Sequence, residues 1–167
     1  MGLWMIQSVR HEYGDAYSFA QLCGMAEECG DFPSRVDVND ARFLAPESMI
    51  EAIRSVCGET GQKVPETPGE MAAVIYRSLA ESYRQTVKEI EDITGKSYES
   101  IHIVGGGANA DYLNRLTADS TGRTVYSGPT EATAIGNLAV QMVKSGEYGS
   151  LEAVRKAIFR SFEIKTF

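Results

Sequence analysis

The chain has 167 residues, a net charge of −7, 43% hydrophobic residues and 23% charged ones. That length fits one domain with a real core, and the balance is that of a globular chain, not a disordered one. An acidic chain without a basic run is a poor partner for nucleic acid or an anionic membrane surface, and no apolar run reaches the roughly 20 residues that cross a bilayer.

The opening Gly2-Leu3-Trp4-Met5-Ile6-Gln7 reads as the start of a helix running to about His11, with Leu3, Ile6 and Val9 on one face. It has no basic region and no cleavage site, so it is not a signal peptide. A domain that starts with an apolar helix is expected to continue from something upstream. Gln7 is the polar exception here, and spacing alone makes it solvent-facing.

Ser18 and Gln21 form a capping box for a second helix, whose stripe is Phe19, Leu22, Cys23 and Ala26. Residues 34–45 are an irregular crossing. Asp37, Asp40 and Arg42 there are candidates for a metal or catalytic role, but clustered Asp and Asn are read as turn residues. Pro46 is expected in the first turn of a helix carrying Met49, Ile50, Ile53 and Val56. Thr67-Pro68-Gly69-Glu70 combines a capping box with proline at the first position, and starts a long helix that stops at Gly95. Cys23, Cys29 and Cys57 are an odd set without metal-ligand spacing, and are read as reduced thiols of a cytoplasmic protein.

Residues 100–136 carry the chemistry. Ile101, Ile103 and Val104 make a short strand, followed at once by Gly105-Gly106-Gly107-Ala108-Asn109 and then by Tyr112, Leu113 and Leu116 at helical spacing. A strand, a glycine turn and a helix suit phosphate, because no side chain blocks the backbone amides and a helix N-terminus is electropositive. Asn109 is expected to cap that helix. Two other readings stand on local evidence: a plain flexible turn, and a dinucleotide site. Gly105-x-Gly107-x-x-Ala110 satisfies the short dinucleotide pattern, but the next strand, Thr124-Val125-Tyr126, runs into Ser127-Gly128-Pro129 without the acidic residue that pattern requires.

Pro129 and Thr130 are expected to open the next helix, with small residues at 132–134 and 136. Its core side reads Ile135, Leu138, Ala139, Met142 and Val143. Ser150 caps a last helix, and the tail alternates Phe162, Ile164 and Phe167. Two strands cannot cover their own edges or hold a core, so part of a sheet is expected to be missing. The bare sheet edge and the apolar first helix together raise the expectation of self-association.

Ile103-Val104-Gly105-Gly106-Gly107-Ala108-Asn109, then Asn114-Arg115-Leu116-x-Ala118-Asp119, then Val125 to Gly128, then Glu131-Ala132-Thr133-Ala134-x-Gly136-Asn137, resemble the closing segment of the FGGY carbohydrate kinases. Residues 2–7 and 40–46 narrow the resemblance to one branch of that family. Its members have two domains of the ribonuclease H-like, actin-type ATPase fold with the active site between them. The resemblance implies that residues 1–167 are the incomplete C-terminal nucleotide-binding domain: α/β, helix-rich, with a small parallel sheet. It implies that Gly105, Gly106 and Gly107 approach the nucleotide phosphates with Ala108 and Asn109 beside them. It also implies that Gln7 contacts ATP, against the solvent-facing reading, and that residues 132–136 back the adenine.

The same resemblance implies ATP and Mg²⁺ as cofactors, held mainly by sequence outside this chain, and a sugar bound through an N-terminal domain. It implies no nucleic-acid or membrane partner. Phosphoryl transfer needs a base, Mg²⁺ ligands and charge stabilisation. No residue here is assigned as catalytic or metal-ligating: His11 ends a helix, His102 lies on a strand surface, and Asp111 and Glu131 suit helix starts. The chain alone is therefore expected to be inactive. Readings kept beside this one are a family member acting on another sugar (fuculose, xylulose or glycerol type), a non-enzymatic nucleotide- or dinucleotide-binding module, and a folded remnant.

Overall fold

Six consecutive residues of one helix, 71–76, are each at most 1% exposed. A helix apolar on every side must be surrounded, and this one is the axis of the first of two units. The computed structural model describes residues 2–167, and Met1 lies outside the described residues. The chain up to Ser97 together with Ala110–Gly122 forms one unit, and Tyr98–Asn109 with Arg123–Phe167 forms the other.

The first unit holds α1 (Trp4–Glu12), α2 (Phe19–Glu28), α3 (Met49–Glu59), α4 (Pro68–Thr94) and α5 (Asp111–Thr121). Helices α1, α2 and α5 pack on α4, and α1 also packs on α3. Met5, Ile6 and Val9 of α1 are buried in the resulting core. The apolar first helix is thus covered within its own unit, and supplies no reason for self-association.

Both expected capping boxes form, Ser18 with Gln21 and Thr67 with Glu70. Gly95 ends α4 in the left-handed region at φ 64°. Gly69 is required where α2 meets α4: a Cβ there would lie 3.0 Å from the Met25 carbonyl oxygen and 3.1 Å from Cys29 Sγ. Helix α3 begins at Met49, later than Pro46 suggested. Ser48 caps it, and the Glu12 carboxylate accepts from Ser48 Oγ at 2.6 Å and from the Met49 amide at 2.6 Å. An anion at a helix N-terminus stabilises it through the helix dipole.

The second unit holds β1 (Ser100–Ile103), β2 (Thr124–Ser127), α6 (Ala132–Lys144), α7 (Leu151–Ser161) and β3 (Lys165–Thr166). β1 and β2 are parallel, with Ile101 opposite Val125. β3 adds antiparallel to the other side of β2, with Thr166 opposite Tyr126. Val125 and Phe167 exchange backbone hydrogen bonds of 3.0 Å in both directions. The sheet is therefore three-stranded and mixed, not purely parallel. The tail covers one edge of β2, leaving β1 and β3 as the sheet edges.

Helix α6 starts at Ala132, not at Pro129, and packs on α7. Of its expected core side only Ala139 is buried; Leu138 is 58% exposed. The Phe159 ring of α7 meets Tyr126 of β2 edge-on at 5.8 Å. Among the described residues no helix is long and apolar enough to cross a membrane.

Candidate functional site

Four hydrogen bonds tie the end of β1 and the glycine turn to the end of β2 and the segment that follows it. The Gly128 amide donates to the Ile103 carbonyl at 2.9 Å, and the Gly105 amide donates to the Pro129 carbonyl at 3.1 Å. The Ser127 hydroxyl donates to the Ala108 carbonyl at 2.8 Å, and the Thr130 hydroxyl donates to Asn109 Oδ1 at 3.2 Å. Gly105–Asn109 is held as a 3-10 turn at the carboxyl ends of two parallel strands, where α/β sheets present ligand sites.

Each residue of the turn has a different part. Gly105 sits at φ 76°, a left-handed conformation that side chains rarely adopt. Its amide is already engaged by Pro129. Gly106 is exposed, and a Cβ built on it would meet nothing within 4 Å. Its backbone is open to a ligand from outside. Gly107 is half-buried, Ala108 is buried and Asn109 is exposed. A 3-10 turn satisfies amides from its third residue on, which leaves the exposed Gly106 as the amide the turn itself does not use.

Beside the turn lies a pocket of about 310 Å³, lined by Ala108, Asn109, residues 127–131, Ile135, Phe162, Glu163 and Lys165. The pocket therefore involves the tail as well as the turn. The peptide between Gly128 and Pro129 is cis, and a Cβ on Gly128 would lie 2.7 Å from the Glu163 carbonyl oxygen.

Asn109 does not cap α5. The cap position falls on Ala110, which makes no side-chain cap bond, and the Asn109 side chain is turned to Thr130. Helix α5 also belongs to the first unit while the turn belongs to the second. The turn therefore offers phosphate its open backbone at Gly106 and no helix N-terminus of its own unit. Gln7 is exposed on α1, in the first unit. The glycine turn and its pocket are brought together, and Gln7 lies on a different body.

The remaining candidates are packing or surface groups. His102 is exposed on β1 with its ring 5.0 Å from that of Tyr126. Cys57 is buried, and Cys23 Sγ donates to Tyr76 Oη at 3.2 Å. Burial pushes the thiols of both up, which keeps them protonated and unreactive. Among the described residues no group of three or more His, Cys, Asp or Glu is placed to hold a metal ion. Sequence reading missed Ser127, which is 3% exposed. Its only signal was a hydroxyl at the end of a strand just before Gly-Pro. It also missed Phe162, Glu163 and Lys165, which gave none.

The profile of the C-terminal domain of the FGGY family of carbohydrate kinases matches residues 1–145. The chain belongs to this family. It is similar over its whole length to a rhamnulokinase of Halalkalibacterium halodurans, 52% identical over 167 residues that make up 36% of that relative. A rhamnulokinase of Bacillus subtilis is 46% identical over the same 167 residues, 34% of its length. One of Bacteroides thetaiotaomicron is 38% identical over 166 residues, 99% of this chain and 34% of that relative. The chain thus spans about a third of these relatives' length and corresponds to their C-terminal part. The branch marked by residues 2–7 and 40–46 is that of the rhamnulokinases. Residues 146–167 lie outside the family profile but inside the similarity to the rhamnulokinases.

Proposed function

We propose that this chain is the nucleotide-binding C-terminal portion of an ATP-dependent sugar kinase that phosphorylates L-rhamnulose at O1. The observation that carries the reading is the open backbone at Gly106, beside a pocket and in a turn fixed to the end of β2 and its loop by three hydrogen bonds. Preorganised amides aimed at a polyphosphate need no rearrangement on binding, which is how such groups favour transferring phosphoryl oxygens. Gly106 would supply an open amide, Gly107 would keep the approach free of side chains, Gly105 would shape the turn, Ala108 would anchor it through Ser127, and Asn109 and Thr130 would define the rim. The family resemblance adds Gln7 as a further nucleotide contact.

In the complete enzyme the bond between O1 of the sugar and the γ-phosphorus forms while the bond from that phosphorus to the β,γ-bridging oxygen breaks. ADP leaves with the electron pair. The proton of the sugar hydroxyl needs a base, which the sugar-binding domain would supply. Among the described residues no group of three or more His, Cys, Asp or Glu is placed to hold a metal ion, so no step on this chain is routed through the ion. ATP, ADP and Mg²⁺ would be shared with a sugar-binding domain, in a ribonuclease H-like fold of which this is an incomplete part. The rhamnulokinase relatives favour rhamnulose over fuculose, xylulose or glycerol.

Calorimetry of the chain with ATP, ADP and NAD tests the reading. Binding of the adenine nucleotides with a preference over NAD is expected, and NAD binding without such a preference would contradict it. Conversion of rhamnulose and ATP by this chain alone would overturn the expected inactivity.

A further inference from the structure

Arg35, in the irregular segment between α2 and α3, has a guanidinium that is anchored on one edge and unused on the other. Its neighbours Ser34 and Val36 are buried. Gln62 clamps its backbone, accepting from the Arg35 amide at 2.8 Å and donating to the Arg35 carbonyl at 2.8 Å. Arg35 Nη1 donates to the Phe32 carbonyl at 2.6 Å and to the Ser34 carbonyl at 2.7 Å. These contacts fix the guanidinium plane. Nε and Nη2, the edge with two parallel donors, make no hydrogen bond among the described residues. Such an edge matches the paired oxygens of an oxyanion.

Arg77 of α4 shares its only close anion. Asp31 Oδ1 accepts from Arg77 Nη1 at 2.7 Å and lies 3.7 Å from Arg35 Nη2, so one carboxylate oxygen stands between two guanidinium groups. Arg77 Nη2 donates to the Gly30 carbonyl at 2.6 Å, and Arg77 Nε is buried without a partner. Tyr112, 7% exposed, also has a buried hydroxyl without a partner, and its phenol is near enough to act on the Arg35 charge. Burial, and then the Arg77 charge, push the Arg35 pKa down. Glu81 also acts on Arg35, but both its oxygens are bonded to Arg84, at 2.6 and 2.9 Å. Two cations thus share one carboxylate, in a chain whose net charge is −7. The Asp31 side chain is 88% exposed, so it can turn away into solvent. All these groups belong to the first unit, and the glycine turn belongs to the second.

We propose that Arg35 and Arg77 form a separate anion site for a phosphate dianion, which Asp31 occupies in the free chain. Phosphate takes the Nε and Nη2 edge of Arg35 and the charge of Arg77, and displaces the Asp31 carboxylate outward. A dianion compensates two guanidinium groups where Asp31 compensates one. The bound anion links the end of α2 and the Arg35 segment to α4, so occupancy stabilises the first unit by mass action. The proposal is independent of the nucleotide reading above.

The test is an NMR titration of the full ¹⁵N-labelled chain with inorganic phosphate, at constant ionic strength, following the arginine Nε–H signals. Sodium chloride is the control, and each signal is assigned by its loss in an Arg→Lys variant. Phosphate is expected to shift the Arg35 and Arg77 signals along a saturating curve. Arg35→Lys keeps the charge but not the edge, and should weaken binding about tenfold, the effect of one lost charged hydrogen bond. Asp31→Asn removes the competing carboxylate and should tighten binding up to about fivefold, what a surface ion pair is worth. Gly106→Val should leave these shifts unchanged. Shifts that never saturate, or that chloride reproduces, would reduce the cluster to a surface ion pair and overturn the proposal. Weaker binding in Asp31→Asn would contradict the role given to Asp31, and loss of the shifts in Gly106→Val would move the phosphate to the glycine turn and overturn the site. Should Arg35→Lys fail to fold, the Arg77 signal and the exposed Asp31→Asn change still decide.

Discussion

The hydroxyl of Ser127, at the end of β2, donates a 2.8 Å hydrogen bond to the carbonyl of Ala108, the fourth residue of the glycine turn. Both residues are buried, at 3% and 6% exposure. A hydrogen bond in such surroundings contributes about 1 kcal/mol net. Ser127→Ala is expected to lower stability by about that much and to loosen the turn, with weaker nucleotide binding as the second effect. Urea denaturation of the two proteins side by side measures the first, and an unchanged midpoint would contradict it.

Gly128 faces a different constraint. At φ 124°, with the Glu163 carbonyl oxygen 2.7 Å from its missing Cβ, it cannot take a side chain unless the tail moves. Gly128→Ala is expected to cost about 1–3 kcal/mol, the range for a strained backbone position, and to release the tail from β2. Hydrogen exchange of the Phe167 amide, which donates to the Val125 carbonyl at 3.0 Å, reports this directly. Protection should fall in the variant far more than protection within α4.

The first unit carries an acid-sensitive cap. The Glu70 carboxylate accepts from Lys63 Nζ at 2.8 Å, from the Glu66 amide at 2.8 Å and from the Thr67 amide at 3.2 Å. The Lys63 ammonium first, and then the Glu66 amide, hold its carboxyl below the usual glutamate range. The folded pKa is thus lower than the unfolded value of about 4.3, so protonation favours the unfolded chain. The contribution is complete above that unfolded value and disappears as pH falls through the folded one. Thermal melts from neutral to acid pH should show a shallower loss for Glu70→Gln than for the unaltered chain, and parallel curves would contradict the assignment.

What the sequence made legible was local. Ser18 with Gln21, Thr67 with Glu70, and Gly95 at the end of α4 are devices complete within a few residues, and each is found where the pattern put it. What it hid depends on partners far along the chain. Pro46 looked like a helix start, but Glu12 draws the true start to Met49 by accepting from its amide. Asn109 looked like a cap, but Thr130, 21 residues away, takes its side chain. The third strand is two residues long and exists only because β2 offers Tyr126 and Ser127 as partners. The turn itself was readable, because three successive glycines have few other uses. The pocket was not, because Phe162, Glu163 and Lys165 of its wall come from a tail more than 50 residues beyond the turn.

Gly106 bears the central claim. Its surroundings are open, so Gly106→Val should leave stability within about 0.5 kcal/mol, as surface changes usually do, while placing a branched side chain where a phosphate would rest. Calorimetric titration of ADP into the two folded proteins is the deciding measurement. The account requires at least a roughly tenfold loss of affinity, about 1.4 kcal/mol, with the melting curve unmoved. Equal affinity in the two proteins would mean that no phosphate lies at this turn.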